Sequence, residues 1–244
     1  MVDKRKFKDI NVSLLGLGTM RLPCETEQKR ESNPNIDYDK AQSLVDLAYK
    51  NGVNYFDTAY MYHCGKSEAF IGYALKKYPR DTYFIADKLP IWMCDTKEDM
   101  KRVFDEQLER TGMDYFDYYL LHSLDNENFE KCEKFDAYDF LKQMQKEGKI
   151  KYIGFSFHGT VDDLRNIVSA HKWDFAQIQM NYLDWENDII QSRLCYETAR
   201  RHNKPIAVME SVKGGTLANL PKEAENILRE YNKEASPASY ALRF

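Results

Sequence analysis

The chain has 244 residues, 43% of them hydrophobic and 30% charged, with a formal net charge of −4. That is the composition of an ordinary globular domain, and its mixed signs give no basic field of the kind that grips a nucleic-acid backbone. The opening MVDKRKFKDI lacks the apolar region of a secretory signal, and no run approaches the roughly 18 apolar residues of a membrane span, so a cytoplasmic protein without nucleic-acid or membrane partners is expected.

In chain order, turn-prone Asp9 to Asn11 suggest a short hairpin over residues 7–13. Seven short apolar runs follow: LLGLG (14–18), VNYFD (53–57), TYFIADK (82–88), FDYYLLH (116–122), KYIGFS (151–156), FAQIQM (175–180) and PIAVME (205–210). Amphipathic stretches of helical period separate them. Some helix ends are explicit. Thr96 with Asp99, and Thr160 with Asp163, have the spacing of a capping box, and Gly112 is a stop signal.

Strand and helix in regular succession imply parallel strands with helical crossovers. No linker divides the chain, so residues 1–244 read as one α/β domain, a TIM (β/α)8 barrel with the hairpin closing its bottom and the eighth βα unit absent. After the seventh strand, SPASYALRF reads as a helix with Ser236 as N-cap and Pro237 at its first position. Stopping there leaves open strand edges, so the chain is expected to be a shortened form of a longer protein. The five cysteines are odd in number and contain no C-x-x-C pair, which favours free thiols over a disulfide framework or a metal site.

Polar residues cluster at or near the ends of the later strands: Asp57, Lys88, His122, Ser156, Gln177 and Glu210. In a closed parallel barrel those ends share the face that carries the chemistry. Singly, each has an ordinary structural reading: Asp57 and Lys88 a buried salt bridge, Tyr62 a loop aromatic, His122 a core histidine. Together, Asp57, Tyr62 five residues on, Lys88 after the third strand and His122 after the fourth resemble the catalytic tetrad of the aldo-keto reductases in type and order. GLGTM, YHCGKSE, IGFSFHG, AQIQMNYLD, VMESVKGG and SPASYALRF extend the resemblance along nearly the whole chain. It is strongest to the bacterial branch often fused to a C-terminal iron-sulfur, ferredoxin-like region.

The resemblance implies reduction of an aldehyde or ketone with NADP(H) or NAD(H), an iron-sulfur cluster entering only if a further C-terminal region exists. It implies Tyr62 as proton donor, Lys88 bringing the phenol's pKa toward the working range, Asp57 holding Lys88, and His122 orienting the carbonyl. The positions that match the family's dinucleotide contacts are Gly18, Thr19, Met20, Asp57, Ser156, Gln177, Met209, Glu210, Ser211, Val212, Lys213 and Gly214. Ser156 and Gln177 are expected on the nicotinamide carboxamide, and the turn from Lys213 to Gly215 is either a pyrophosphate cradle or simply a turn. Two positions depart from the family: Phe157 where Asn commonly follows the serine, and Met209 where an aromatic often stacks. Gly16 and Gly18 lack the third glycine of a Rossmann fingerprint. Trp92, His63 and His158 are further candidates near substrate. The competing readings are a nucleotide-binding or sensing subunit without turnover, an electron-transfer reductase linked to an iron-sulfur centre, and an aldolase using Lys88 as a Schiff base.

Overall fold

The computed structural model describes residues 1–26 and 33–244. The chain divides into two compact units, one of Met1–Ser123 and Glu127–Phe155, the other of Leu124–Asn126 and Ser156–Phe244.

The first unit opens on an antiparallel hairpin, β1 (Lys4–Phe7) and β2 (Ile10–Ser13). Its turn lies at Lys8 and Asp9, where Lys8 takes the left-handed φ of 51°. The hairpin therefore begins earlier than residues 7–13, and its turn overlaps the Asp9 to Asn11 stretch only at Asp9. Phe7 packs its ring 5.5 Å from Tyr118 and 5.0 Å from Tyr152, near the starts of the strands that carry those tyrosines.

Strand β3 (Leu17–Gly18) follows, then α1 (Tyr38–Lys50), β4 (Tyr55–Asp57), α2 (Lys66–Leu75), β5 (Phe84–Leu89), α3 (Lys97–Thr111) and β6 (Phe116–Leu124). After them come α4 (Asn126–Lys134), α5 (Ala137–Lys146) and β7 (Ile150–Phe157). Pairing is parallel throughout, with Leu17 opposite Phe56, Asp57 opposite Ala86 and Lys88 opposite Leu120. This register sets Gly18, Asp57 and Lys88 at or near the C-terminal ends of adjacent strands. Helix α3 forms where the sequence signals it: Thr96 and Asp99 make the capping box, and Gly112 closes the helix at φ 64°. Phe70, Ile71, Ala74 and Leu75 of α2, and Phe104 of α3, are fully buried with Ile85, Ala86 and Leu89 of β5. Each such large side chain contributes about 1.5–3 kcal/mol of burial.

The second unit holds α6 (Val161–Ala170), β8 (Phe175–Gln179), α7 (Ser192–Arg201), β9 (Ile206–Met209), α8 (Lys222–Tyr231) and α9 (Pro237–Arg243). Strands β8 and β9 pair in parallel, from Ala176 opposite Ile206 to Gln179 opposite Met209. Thr160 and Asp163 cap α6, and the Ser236 side chain accepts from the Ser239 amide at the start of α9. The sheet order β3 to β9 follows the chain order. Each of the seven expected strands is found, and an eighth parallel strand is not among the described residues. Strand β9 ends the sheet order, and its residues are half-buried or exposed where those of β5 are nearly all buried.

Helices α2 and α3 approach closely at Gly72, where a Cβ would stand 2.1 Å from the Thr111 carbonyl oxygen. Backbone cannot rotate out of the way. Gly72→Ala is expected to destabilise the protein by about 1–3 kcal/mol through overpacking, read as a melting temperature several degrees lower. An unchanged melting temperature would mean that the helices are not in contact there.

Candidate active site

Asp57 is the last residue of β4 and Lys88 the penultimate residue of β5, so parallel pairing brings their side chains together at one end of the sheet. Lys88 is 1% exposed, and a buried ammonium has three N–H donors to satisfy. It finds three acceptors: Asp57 Oδ1 at 2.6 Å, the Thr58 carbonyl at 2.6 Å and the Tyr62 hydroxyl at 3.4 Å. The Tyr62 oxygen thus accepts from Lys88, and its own O–H remains to donate elsewhere. His122, near the end of β6, stands with its ring 6.0 Å from that of Tyr62 at an interplanar angle of 80°. All four tetrad residues therefore meet within the first unit. Trp92 lies 5.1 Å from the His122 ring and is 38% exposed, in position to wall the space in front of the histidine.

Burial pulls the Lys88 pKa down, but the Asp57 carboxylate and Tyr62 outweigh it and leave the ammonium above the ordinary lysine value. For Tyr62, burial pushes the phenol up more than Lys88 pulls it down, so it lies above the ordinary 10.0. The sequence reading expected net depression. The lysine acts in the expected direction, and desolvation of the hydroxyl exceeds it. The consequence is a phenol that stays protonated at neutral pH, a loaded acid.

The turn that carries Tyr62 is strained. His63 and Cys64 both adopt left-handed backbone, at φ 52° and 53°, which costs non-glycine residues of order 1 kcal/mol or more. The His63 side chain offsets that cost. It is fully buried, its Nε2 accepting from the Leu22 amide at 3.1 Å and its Nδ1 lying 2.7 Å from the Asn33 carbonyl. A residue considered for substrate contact is instead the tie between the Tyr62 turn and the segment after β3. His158 is exposed.

Thr19 is also fully buried. Its amide and hydroxyl both donate to the Asp57 carbonyl, at 2.9 and 3.0 Å, and its oxygen accepts from Ser67 at 2.6 Å. Thr58 lies 3.0 Å from the same Ser67 hydroxyl, so three small hydroxyls brace the end of β4. Sequence reading missed Ser67 in this role, and its signal was a small polar residue in the first turn of α2. Of Gly18, Thr19 and Met20, the accessible members are exposed Gly18 and half-buried Met20.

In the second unit, Ser156 and Gln177 are buried on β7 and β8, and Phe157 is buried beside Ser156. Met209, Glu210, Ser211 and Val212 are half-buried. Glu210, Lys213, Gly214 and Gly215 all have positive φ, a backbone able to turn amides inward around an anion. The Lys213 ammonium is engaged by the buried Asp184 at 2.5 Å. Asp184 also accepts from Gln179 and Asn181, and Asn181 donates to the Glu210 carbonyl at 3.0 Å. Lys213 thus anchors its own loop. Among the described residues no group of three or more His, Cys, Asp or Glu could hold a metal ion, and no helix is long and apolar enough to cross a membrane.

Residues 14–243 match the model of the Aldo/keto reductase family, and the chain belongs to that family. An aldo-keto reductase of Gibberella moniliformis is 30% identical over 186 residues, covering 73% of this chain and 53% of the relative. An Escherichia coli protein named NADH-specific methylglyoxal reductase is 27% identical over 206 residues, covering 75% of this chain and 60% of the relative. The chain spans about half to three-fifths of the length of these curated relatives. Among solved structures, an aldo-keto reductase from Bacillus halodurans in its holo form superposes with a TM-score of 0.73 at 24% identity, covering 100% of this chain and 82% of that one. That likeness shows the fold, the α/β barrel class.

The Lys88–Asp57 pair is open to direct test. Asp57→Asn keeps the shape and removes the counter-charge, which is expected to cost about 3 kcal/mol of unfolding free energy at neutral pH, measured from urea midpoints. Because Lys88 lies above the ordinary lysine value of 10.5, its stabilising contribution is complete below 10.5 and is lost as the pH climbs through the raised value. Equal midpoints for the two proteins at neutral pH would show that Asp57 does not hold the ammonium.

Proposed function

We propose that the protein reduces an aldehyde or ketone to an alcohol with NADH or NADPH. The observation that carries this reading is the Lys88 ammonium, held between the Asp57 carboxylate and the Tyr62 hydroxyl with the His122 ring alongside.

Carbonyl reduction places negative charge on oxygen, and a group beside that oxygen has to supply a proton. Tyr62 is suited to it: phenol is a stronger acid than the alcohol being formed, and its raised pKa keeps the proton on until the alkoxide takes it. The phenolate left behind lies next to a buried ammonium, the arrangement that stabilises it in a low-dielectric site. Asp57 keeps Lys88 charged and fixed. His122 contributes a second polar contact for the carbonyl oxygen, and Trp92 shields that contact from water. When bound, the nicotinamide supplies hydride to the carbonyl carbon.

Each unit, taken by itself, holds residues that suit part of a dinucleotide. Gly18, with open space where a Cβ would stand, and Met20 belong to the first, and Thr19 supports Asp57 from beneath. Ser156 and Gln177 in the second offer a hydroxyl and an amide of the kind a carboxamide binds. The positive-φ backbone from Glu210 to Gly215 suits a pyrophosphate, with Lys213 shaping the loop through Asp184. The name of the Escherichia coli relative makes 2-oxoaldehydes the first compounds to try.

The test is oxidation of NADH and NADPH, followed by loss of nicotinamide absorbance, against a panel of aldehydes, ketones and quinones. Turnover is expected in the native protein and a fall of roughly 100- to 10,000-fold in kcat for Tyr62→Phe, the span of lost general-acid catalysis. No turnover on any member, or a Tyr62→Phe variant as fast as the native protein, overturns the reading.

A further inference from the structure

Alternation along β5 turns Lys88 to one face and its neighbour Asp87 to the other, where α2 and α3 pack. Asp87 is fully buried. One carboxyl oxygen accepts from the Lys88 amide at 2.8 Å, and the other, Oδ2, has no hydrogen-bond donor in reach. A second fully buried carboxyl group, that of Glu68 on α2, lies near enough to interact with Asp87 electrostatically. Glu68 already accepts from Gln107 at 3.0 Å and from Arg110 at 3.0 Å, both on α3. The same Gln107 amide donates to the Lys88 carbonyl at 3.0 Å, and its oxygen accepts from Tyr119 of β6.

Two interacting carboxylates, both cut off from water, with Arg110 paired to Glu68 and Lys88 already balanced by Asp57, cannot both be ionised at neutral pH. The partners divide unequally. Glu68 has an arginine and an amide donor, and Asp87 Oδ2 has neither. An orphaned buried oxygen beside an acceptor is satisfied when it carries a proton.

We infer that Asp87 is a positioning residue for the reduction proposed above, held as a neutral carboxylic acid that donates to Glu68 and accepts from the Lys88 amide, so that it fixes Lys88 without adding a charge beside Tyr62. The inference rests on that functional reading for its purpose, though not for its chemistry. The other ionisable groups around Asp87 are Lys88 on its own strand, Asp57 on β4, Tyr119 on β6 and Tyr62. Burial and the neighbouring Glu68 both push its carboxyl well above the usual carboxylate range. An ionised Asp87 acts to raise the Tyr62 phenol and opposes the phenolate that proton transfer leaves behind. Neutral, it leaves Asp57 to balance Lys88.

Infrared difference spectra and titration of Tyr62 labelled at its ring carbon test this without reference to turnover. At neutral pH the native protein is expected to show the carbonyl stretch of a protonated carboxylic acid, lost in Asp87→Asn. The amide of that variant reproduces the hydrogen bonds without charge, so the Tyr62 midpoint stays where it was. Glu68→Gln provides the opposite case: a donor to Oδ2 and no like charge let Asp87 ionise, the band disappears, and the Tyr62 midpoint rises. A native protein without the band, or an Asp87→Asn variant in which the Tyr62 midpoint drops, overturns the inference. If the infrared and titration results hold while no carbonyl is reduced, the functional reading has failed and the carboxylic acid stands.

Discussion

A lysine ammonium removed from water has to be answered by acceptors, and the way Lys88 is answered constrains everything around it. Removing such a charge from solvent costs several kcal/mol, a penalty that only a counter-ion and complete hydrogen bonding can offset. Asp57 supplies the charge, the Thr58 carbonyl supplies a fixed dipole, and Tyr62 supplies the third acceptor. The first two acceptors are structural. The third converts the arrangement into chemistry, because it sets a phenol against a permanent positive charge and leaves the phenol proton available.

The fold makes that meeting possible and also supports it from behind. Parallel strands deliver Asp57 and Lys88 to the same end of the sheet, and the strained turn at His63 and Cys64 returns Tyr62 over them. Behind β5, the layer of Glu68, Gln107, Arg110 and Tyr119 grips the backbone on either side of Lys88, through Asp87 at its amide and Gln107 at its carbonyl. A buried polar network of this kind stabilises only if every member is satisfied. The protonated Asp87 is what completes it. Arg110 extends the network outward to Tyr60 and Glu106, at 3.2 and 3.1 Å, where solvent softens the charges.

Much of this was legible in the sequence because it is written in local chemistry. Apolar runs of strand length between helical patterns gave the seven strands, and Thr–x–x–Asp spacing gave the ends of α3 and α6. The four residues of the site were legible as a set through type and order. Sequence could not convey direction and depth. Nothing in the string says that Thr19 faces inward onto Ser67, that His63 is the buried tie of its own turn, or that Lys213 is engaged by Asp184 twenty-nine positions away. The net direction of the Tyr62 shift was hidden for the same reason: a charge partner can be guessed from composition, whereas desolvation depends on packing. Asp87 reads as one more polar residue beside the lysine until the strand's alternation points it at Glu68.

The most direct measurement of the central claim is a crystal structure of the protein with oxidised dinucleotide and a carbonyl-bearing inhibitor. The account predicts the inhibitor's carbonyl oxygen within about 3 Å of both the Tyr62 hydroxyl and a His122 ring nitrogen, the reach of proton transfer, with Lys88 still against Tyr62. An inhibitor seated elsewhere in the barrel, with the Tyr62 hydroxyl turned away from both its oxygen and Lys88, would contradict it.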